Sequence, residues 1–435
     1  MNAPDPTRDR SDPPALQRAT LAMAGVMNAS GPLLRLALRN VARHRGRTTM
    51  TLAAIAFGVA SLILTGGFVR DIYAQLGEAL IHSQTGHLQL MRNGYYESGT
   101  RSPEKYRIDD VAGLERGIGA LPQVEEVMAR VAFAGLLNNG RTDWAIVGEG
   151  VEPDKEARLG SYMRIVAGRQ LRDGDREGVL VGAGVAAALG LAPGRRVTLL
   201  VNSAEAGMNT IDLEVVGVFQ SFSKDFDARA IRITRAAAAD LLASPGANTL
   251  VVSLRDTADT DDVAAALRKR FGVAPFEVLT WKRLNDFYDK TVALYDRQFG
   301  VLQLIILGMV LLSVANSVNM TVFERLGEFG TMRALGNRSR DVVRLVVVEA
   351  GCLGVIGATI GVALGIALAL AISAVGIPMP PPPNANLAYT AHVRVVPWVV
   401  ASAFLVGVAG SLLAALWPAR RVARRDLAEA LQANV

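Results

Sequence analysis

Residues able to carry out chemistry are few in this sequence, and their spacing assembles no recognisable reactive set. The four histidines, His44, His82, His87 and His392, lie far apart or on different predicted elements. Cys352 is the single cysteine, so neither an intrachain disulfide nor a cysteine metal site can form. The motifs H-E-x-x-H, G-x-S-x-G and G-x-x-x-x-G-K-[ST] do not occur. An enzymatic role is therefore disfavoured, and a metal site at His82 and His87 remains only a minor alternative.

The most distinctive charged stretch runs from Phe323 to Glu349 and reads FERLGEFGTMRALGNRSRDVVRLVVVE. It favours a helix, and apolar runs long enough to cross a bilayer lie on both sides of it. Its five arginines are Arg325, Arg333, Arg338, Arg340 and Arg344. Arginine between two spans marks the cytoplasmic side of a membrane. The stretch therefore predicts a contact element for a cytoplasmic partner.

The composition predicts a membrane protein with a sizeable soluble part. Hydrophobic residues make up 51% of the 435 residues, the mean hydropathy is +0.27, and charged residues still reach 20%. The net charge is +6, and the arginines cluster beside the apolar runs. This basicity favours attraction to anionic membrane lipid. It disfavours nucleic acid, because basic and aromatic residues are not interleaved as they are in single-strand binders.

Four apolar segments are long enough to cross a hydrocarbon core of about 30 Å. They are residues 48–70, 300–322, 346–375 and 395–417. Almost no ionisable residue interrupts them, which disfavours a proton or ion relay and indicates an external energy source. Glu349 is expected to cap the bundle or to pair with a nearby arginine.

Both ends of the chain are predicted to lie in the cytoplasm. Residues 1–30 resemble a disordered tail, with a signal peptide as the alternative. Residues 31–47 predict an amphipathic helix on the membrane surface, or else a basic stop at the edge of the first span. Residues 418–435 form a second tail with four arginines at its start.

Residues 71–299 predict an α+β domain inserted between the first two spans. Short apolar runs alternate with turn signals, as in HLQLM, WAIVGEGVEP, LEVVGVFQSF and NTLVVSL. Residues 71–80 and 281–299 carry apolar residues at helical spacing and border the adjoining spans. We expect them to be two stalk helices that pair with each other. The alternative is two ordinary amphipathic helices packed on the domain.

Two features of the second half are less specific. Gly357, Gly361 and Gly365 form overlapping G-x-x-x-G patterns, which predict a helix–helix contact. Residues 376–394 contain Pro378 and Pro380–Pro383, which favour a stiff polyproline loop on the outer side. That loop acts either as a spacer or as a contact for cargo or a partner.

Three local patterns resemble the FtsX/MacB-type ABC transporter permeases. They are LALRNVARHRGRTTMTLAAIAFGVA at the start, the ER-x-x-EFG-x-x-RALG core of the charged stretch, and WPARRVARRDLAEAL at the end. The segments IVGEGVEP, GVLVGAGVAAALGLAPGRRVTLL and LEVVGVFQS are similar to the extracytoplasmic core domain of the same family. The resemblance covers nearly the whole chain after residue 30.

The resemblance implies a four-helix type VII permease with a MacB-like periplasmic core domain, in the bacterial inner membrane. It implies a dimer with a second copy or a paralogue, and a separate ATPase chain that holds ATP and Mg²⁺, since no cofactor is expected here. Residues 323–345 would be the coupling segment that enters the ATPase groove, a helix-in-groove contact. The residues in or beside that groove would be Glu324, Arg325, Glu328, Phe329, Met332, Arg333, Ala334, Leu335 and Gly336.

The family also implies mechanotransmission, in which ATP-driven closing of the spans moves a cargo that is already outside the cytoplasm. Lipoprotein release or another lipid-linked cargo is favoured, because the organisation without a fused ATPase is like LolC/LolE. The alternatives are a drug, peptide or siderophore pump of the MacB type and an FtsX-like regulator of cell-wall hydrolases. A periplasmic carrier or adaptor protein is a further expected partner.

Overall fold

The computed structural model describes residues 45–99, 103–159, 162–203, 207–271, 275–381, 384–386 and 388–423, without the side chains of residues 45, 47, 286, 287, 422 and 423. The predictions for residues 1–30, for most of 31–47 and for 424–435 lie outside this range. The chain divides into two compact units. The helical unit comprises residues up to 70, 296–375 and from 392 onward, and the α+β unit comprises residues 71–295 and 376–391.

Four helices of the described chain are long and apolar enough to cross a membrane, as predicted. They are α1 (Arg45–Leu80), α10 (Asp286–Glu324), α12 (Ser339–Val375) and α13 (Pro397–Ala423), with the short helix α11 (Leu326–Ala334) between the second and third. Each helix extends beyond the apolar run that predicted it at one end or at both, although α12 ends at the predicted residue 375 and α13 begins two residues after the predicted start. Backbone hydrogen bonding continues where the side chains become polar, so hydropathy alone places these boundaries too narrowly.

The glycine stripe of α12 packs against α1 within the helical unit. Gly357, Gly361 and Gly365 face a surface formed by Ile55, Ala56, Val59, Ala60 and Ile63. A methyl group added at Gly361 would lie 2.7 Å from the carbonyl oxygen of Ala56. Small residues permit this approach, so the predicted helix–helix contact is confirmed. It is made inside one chain.

The α+β unit contains one large mixed sheet. Its strands are β1 (Leu88–Arg92), β2 (Val124–Asn138), β3 (Asp143–Val151), β4 (Arg164–Gly168), β5 (Gly178–Gly182), β6 (Arg196–Ser203), β7 (Gly207–Gln220), β8 (Ala230–Thr234), β9 (Thr249–Leu254) and β10 (Phe276–Thr280). The strand order is β10-β1-β9-β2-β3-β8-β5-β7-β4, and β6 pairs with β2 and β7. The predicted strands are all present, and the α+β prediction is confirmed.

Short helices pack against this sheet and form two separate hydrophobic cores with it. The helices are α2 (Tyr95–Ser98), α3 (Val111–Gly119), α4 (Pro153–Leu159), α5 (Ala183–Leu189), α6 (Lys224–Asp227), α7 (Arg235–Leu242), α8 (Thr260–Phe271) and α9 (Trp281–Leu284). One core packs α3 and α8 on β1, β9 and the start of β2, around Leu250 and Leu267. The other packs α5 and α7 on β5, β6 and β7, around Val215 and Leu241. The long strand β2 belongs to both cores.

A buried ionic cluster that the sequence did not predict lies beside β2. Arg130 Nε donates to Glu156 at 2.5 Å, and Arg232 Nε donates to Glu149 at 2.9 Å. Burial raises the pKa of the Glu156 carboxyl, but Arg130 and Arg232 outweigh it and hold that pKa below its usual range. Because the paired charges compensate one another, two guanidinium groups are accommodated in the interior.

The two predicted stalk helices contact each other in the α+β unit. The Tyr73 hydroxyl of α1 donates to the carbonyl oxygen of Val292 in α10 at 3.1 Å. Gly77 leaves room for the Trp281 ring, and that ring packs edge-on against Tyr288 with centroids 4.7 Å apart. The second stalk is not one helix from residue 281, as the apolar spacing predicted. It breaks after α9, because Asn285 takes a non-helical conformation.

The proline-rich loop is not an isolated stiff spacer. It contains a two-stranded hairpin, β11 (Ile377–Met379) with β12 (Tyr389–Ala391), and residues 376–391 belong to the α+β unit. Pro382, Pro383 and Leu387 lie outside the described residues. The proline count indicated local stiffness, but not the hydrogen bonds that connect this loop to a distant segment.

His87 serves the fold, and within the described residues no group of three or more His, Cys, Asp or Glu could hold a metal ion. The His87 side chain is buried at 1% exposure. Its Nδ1 accepts a hydrogen bond from the Leu254 amide at 3.1 Å, and its Nε2 lies 3.1 Å from the Thr257 hydroxyl. Nδ1 must be unprotonated to accept that bond. Burial, with a smaller contribution from the charge of His82, lowers the pKa of His87 from 6.5 to about 4.

This lowered pKa predicts that acid destabilises the α+β unit. Between pH 6.5 and pH 4 the unfolded chain binds a proton at His87 that the folded chain does not. Stability is therefore lost as the pH falls, by roughly 2 kcal/mol at pH 5 relative to neutral pH. Thermal unfolding of the full-length protein in detergent at pH 7.5 and pH 5 measures this. A His87→Gln variant, whose amide oxygen can still accept, should lose much of the pH dependence. Equal pH dependence in both proteins would contradict the prediction.

Candidate functional site

The charged stretch folds as a helix–turn–helix between two long apolar helices. Helix α10 ends at Glu324, α11 occupies Leu326–Ala334, and α12 begins at Ser339. Gly336 joins α11 to α12 with φ +98, a conformation that glycine adopts without strain. The Asp341 carboxylate accepts from the Arg338 amide at 3.0 Å and so caps the start of α12.

Two of the nine predicted contact residues face the interior of the helical unit. The Arg325 side chain is 9% exposed; its Nη1 donates to Glu349 Oε2 at 2.9 Å, and its Nε donates to Glu328 Oε2 at 2.8 Å. Its guanidinium lies 5.3 Å from the centroid of the Phe329 ring, which is 2% exposed. The predicted pairing of Glu349 with an arginine is therefore confirmed. Arg325 and Phe329 fasten α11 to α12.

The remaining predicted residues lie on the outer side of this segment or at its edge. Leu335 is the most exposed of its large apolar side chains, at 82%. Met332 is half-buried and packs on the core of the helical unit. Arg333 is also half-buried, whereas the exposed members are Glu324, Glu328, Ala334, Leu335 and Gly336. The structure thus separates residues that the sequence placed together in one contact surface.

The exposed residues of the segment combine apolar side chains, Leu335 above all, with several charges. Arg338, Arg340 and Arg344 of the same segment are also exposed, and Arg344 Nη1 lies 3.9 Å from Asp341 Oδ1. This arrangement carries no catalytic group. It can bind a groove that offers an apolar recess and acidic or amide groups, which is the anatomy of a protein–protein contact.

A second feature of the helical unit was not predicted from the sequence. A cleft of about 490 Å³ lies between α1, α10 and α13. Its polar lining includes Arg70, Asp296 and Gln303. Its apolar lining includes Leu62, Leu304, Leu307, Val399, Ala403 and Val406. Because three different helices contribute to it, no local pattern in the sequence could have indicated the cleft.

Comparison with known proteins assigns both halves of the chain. Residues 48–270 match the family model of the MacB-like periplasmic core domain, and residues 300–427 match that of the FtsX-like permease C-terminal region. The first match is to the segment that folds as α1 and most of the α+β unit, and the second is to the segment that holds α11.

Several transport proteins are similar to this chain. An uncharacterised ABC transporter permease of Methanocaldococcus jannaschii is 27% identical over 64% of this chain and 68% of its own length. The pyoverdine export ATP-binding/permease protein PvdT of Pseudomonas putida is 26% identical over 89% of this chain, which spans 57% of that protein. The lipoprotein-releasing system transmembrane protein LolC of Xylella fastidiosa is 23% identical over 88% of this chain and 92% of its own length.

Among solved structures, the periplasmic region of MacB from Actinobacillus actinomycetemcomitans matches with a TM-score of 0.36. It is 13% identical and covers 48% of this chain and 94% of its own.

Proposed function

This chain belongs to the MacB/FtsX-like family of ABC transporter permeases, and from that membership we propose that it couples a cytoplasmic ATPase to movement of its periplasmic core domain. It works as a dimer with a second copy or a paralogue. ATP and Mg²⁺ bind to the ATPase chain. The chain itself is a multi-pass membrane protein, and both termini lie in the cytoplasm under this proposal.

The observation that carries the proposal is the construction of α11. Leu335, directly after α11, is exposed and faces the cytoplasm under this proposal, while Arg325 and Phe329 attach the other face of α11 to α12. A protein bound to Leu335 would therefore move α11 and the long helix α12 together. Close packing supports this coupling, because packed interiors shift as rigid bodies and do not deform continuously.

Contact between the stalk helices supports transmission to the α+β unit. Within that unit, the Tyr73–Val292 hydrogen bond joins α1 to α10, and the packing of Trp281 at Gly77 joins α1 to α9. A change in the separation of α1 and α10 would displace β1, which follows α1, and β10, which precedes α9 and α10. Under this proposal, mechanotransmission is the transfer of movement from these two helices to the strands of the α+β unit.

For cargo, the cleft between α1, α10 and α13 favours a lipid-linked molecule over a soluble one. Its apolar lining can accept an acyl chain, and Arg70 and Asp296 add charged groups to that lining. The similarity to LolC points in the same direction. The similarity to PvdT supports the second candidate, a siderophore or drug efflux permease. A regulator of cell-wall hydrolases is the third candidate.

A pull-down in mild detergent tests the proposal. We expect the tagged full-length protein, purified from the organism that encodes it, to bring along an ATPase with a Walker motif, detected by mass spectrometry. A co-purifying lipoprotein or carrier would favour lipid-linked cargo, and an adaptor or outer-membrane channel would favour efflux. If no ATPase is present and added ATP changes nothing, the coupling proposal fails and the regulator becomes the better candidate.

A further inference from the structure

The loop between the third and fourth spans joins a distant segment of the α+β unit through its tip. The tip is Asn384-Ala385-Asn386, and the segment is residues 221–227, at the end of β7 and in α6. Ala385 and Ser223 form an isolated antiparallel bridge. The Lys224 amide donates to the Asn384 carbonyl at 3.0 Å, and the Asn386 amide donates to the Phe222 carbonyl at 3.0 Å.

Side chains strengthen this junction on both sides of the bridge. Asn384 Nδ2 donates to Asp225 Oδ2, and Asn386 Nδ2 donates to Asp227 Oδ2, each at 2.6 Å. Asp227 is 2% exposed and also accepts from the Ser221 amide at 3.0 Å. Hydrogen bonds to a carboxylate are stronger than those between neutral groups. Each of the two asparagines thus hydrogen-bonds one aspartate. A loop that served only as an extended spacer would not need these hydrogen bonds.

The same tip lies where the two stalk helices meet. Ala385, at 1% exposure, belongs to a buried apolar cluster with Leu76 and Leu80 of α1, and Tyr288 of α10 packs against that cluster. Phe222 completes the cluster from the α+β unit. Gln75 of α1 also donates to the carbonyl oxygen of Thr390 in β12 at 2.8 Å. One small residue therefore contacts the meeting point of both stalks.

Hydrogen bonds also close the base of the loop. In the helical unit, the Ser373 hydroxyl donates to the Val393 carbonyl at 3.1 Å and accepts from the Val393 amide at 3.0 Å. The hairpin pairs Ile377 with Ala391. A loop that is closed at its base, paired along its strands and bonded at its tip can transmit displacement, whereas a flexible connection would absorb it.

We propose that this loop is a strut through which the third and fourth spans act on the stalk junction, with Asn386 and Asp227 as its positioning residues. The strut is a second connection beside the stalks and stays attached through the ATPase cycle. The inference rests on the proposed function, because it requires an ATP-driven movement to transmit.

Spin labels on the periplasmic core domain test the strut. Met208 is 73% exposed, and Met208→Cys in a Cys352→Ala background gives one label on each permease copy of the purified complex. The separation of the labels is measured by pulsed electron resonance, without nucleotide and with ATP, Mg²⁺ and vanadate. We expect a nucleotide-dependent shift in this background. Asn386→Asp, which sets two carboxylates against each other, should reduce that shift to less than half while the ATPase remains bound.

Two controls separate a positioning role from a general loss of structure. Asn93→Asp makes the same chemical change at an exposed position and should leave the shift intact. The exchange Asn386→Asp with Asp227→Asn restores one carboxylate facing one amide and should recover most of the shift. A full shift in a folded Asn386→Asp complex overturns the strut. The absence of any shift before that substitution overturns the proposed function, and the strut with it.

A disulfide across the tip tests whether the strut stays attached. Residues that face each other in an antiparallel pair have Cα atoms about 4.5–5.5 Å apart, within the range of about 4.4–6.8 Å that a disulfide spans. Ser223→Cys with Ala385→Cys should therefore cross-link upon oxidation. We expect the oxidised complex to retain the nucleotide-dependent shift. Arrest of the shift by oxidation, with recovery after reduction, would show that the tip must detach and would overturn the proposal.

Discussion

Leu335→Asp should abolish co-purification of the ATPase and leave the permease folded. Leu335 is 82% exposed, so the free permease loses almost no packing, and such surface changes usually alter stability by less than about 0.5 kcal/mol. In the complex, the groove would lose roughly 2 kcal/mol of apolar burial. It would also have to desolvate a carboxylate, at a cost of several kcal/mol. A loss of affinity of at least about 100-fold follows, since about 1.4 kcal/mol is a factor of ten.

The measurement is quantitative pull-down of the ATPase, with gel filtration and thermal unfolding of the permease as the folding checks. Met208→Asp is the matched control, because it places the same charge at a side chain that is 73% exposed on the α+β unit. Met332→Asp is a poorer probe. Met332 packs on the helical core, so its replacement should destabilise the protein as well as the complex. If the Leu335→Asp variant recovers the normal amount of ATPase in the pull-down, α11 and the residue that follows it do not form the contact with the ATPase.

Arg325→Ala should destabilise the helical unit and uncouple it. The Glu349 carboxylate, 13% exposed, would lose its guanidinium partner. Removing one partner of a buried ion pair typically costs about 3–5 kcal/mol. For a unit of this size that lowers the Tm by roughly 10 °C. Thermal unfolding in detergent measures the shift, and Arg325→Lys should recover only part of it because lysine cannot reproduce the two directed donors.

The double variant Arg325→Met with Glu349→Met separates stability from coupling. Removing both charges avoids an uncompensated carboxylate, so the Tm should return most of the way to that of the unmodified protein. The link between α11 and α12 would still be missing. We therefore expect the ATPase to bind while the nucleotide-dependent movement of the periplasmic core domain is reduced. If the double variant is as unstable as Arg325→Ala, the ion pair is not the source of the stabilisation.

Patterns carried by neighbouring residues were enough to predict most elements of this fold. Apolar runs predicted the four membrane helices, and alternating runs with turn signals predicted the strands of the α+β unit. The glycine spacing of α12 predicted a helix contact, since that pattern depends on one helix face alone. The charged stretch around α11 was recognisable for the same reason: its residues are adjacent in the chain.

The tertiary structure decided how these elements use their residues. The sequence grouped Arg325 and Phe329 with Leu335, but the fold turns the first two toward α12 and leaves the third exposed. It brought Asn386 to Asp227 and Arg130 to Glu156. In these cases the partner is distant in sequence and its choice depends on packing. Periodicity in a single segment determines which face is apolar, whereas the identity of what covers that face depends on all the other segments at once.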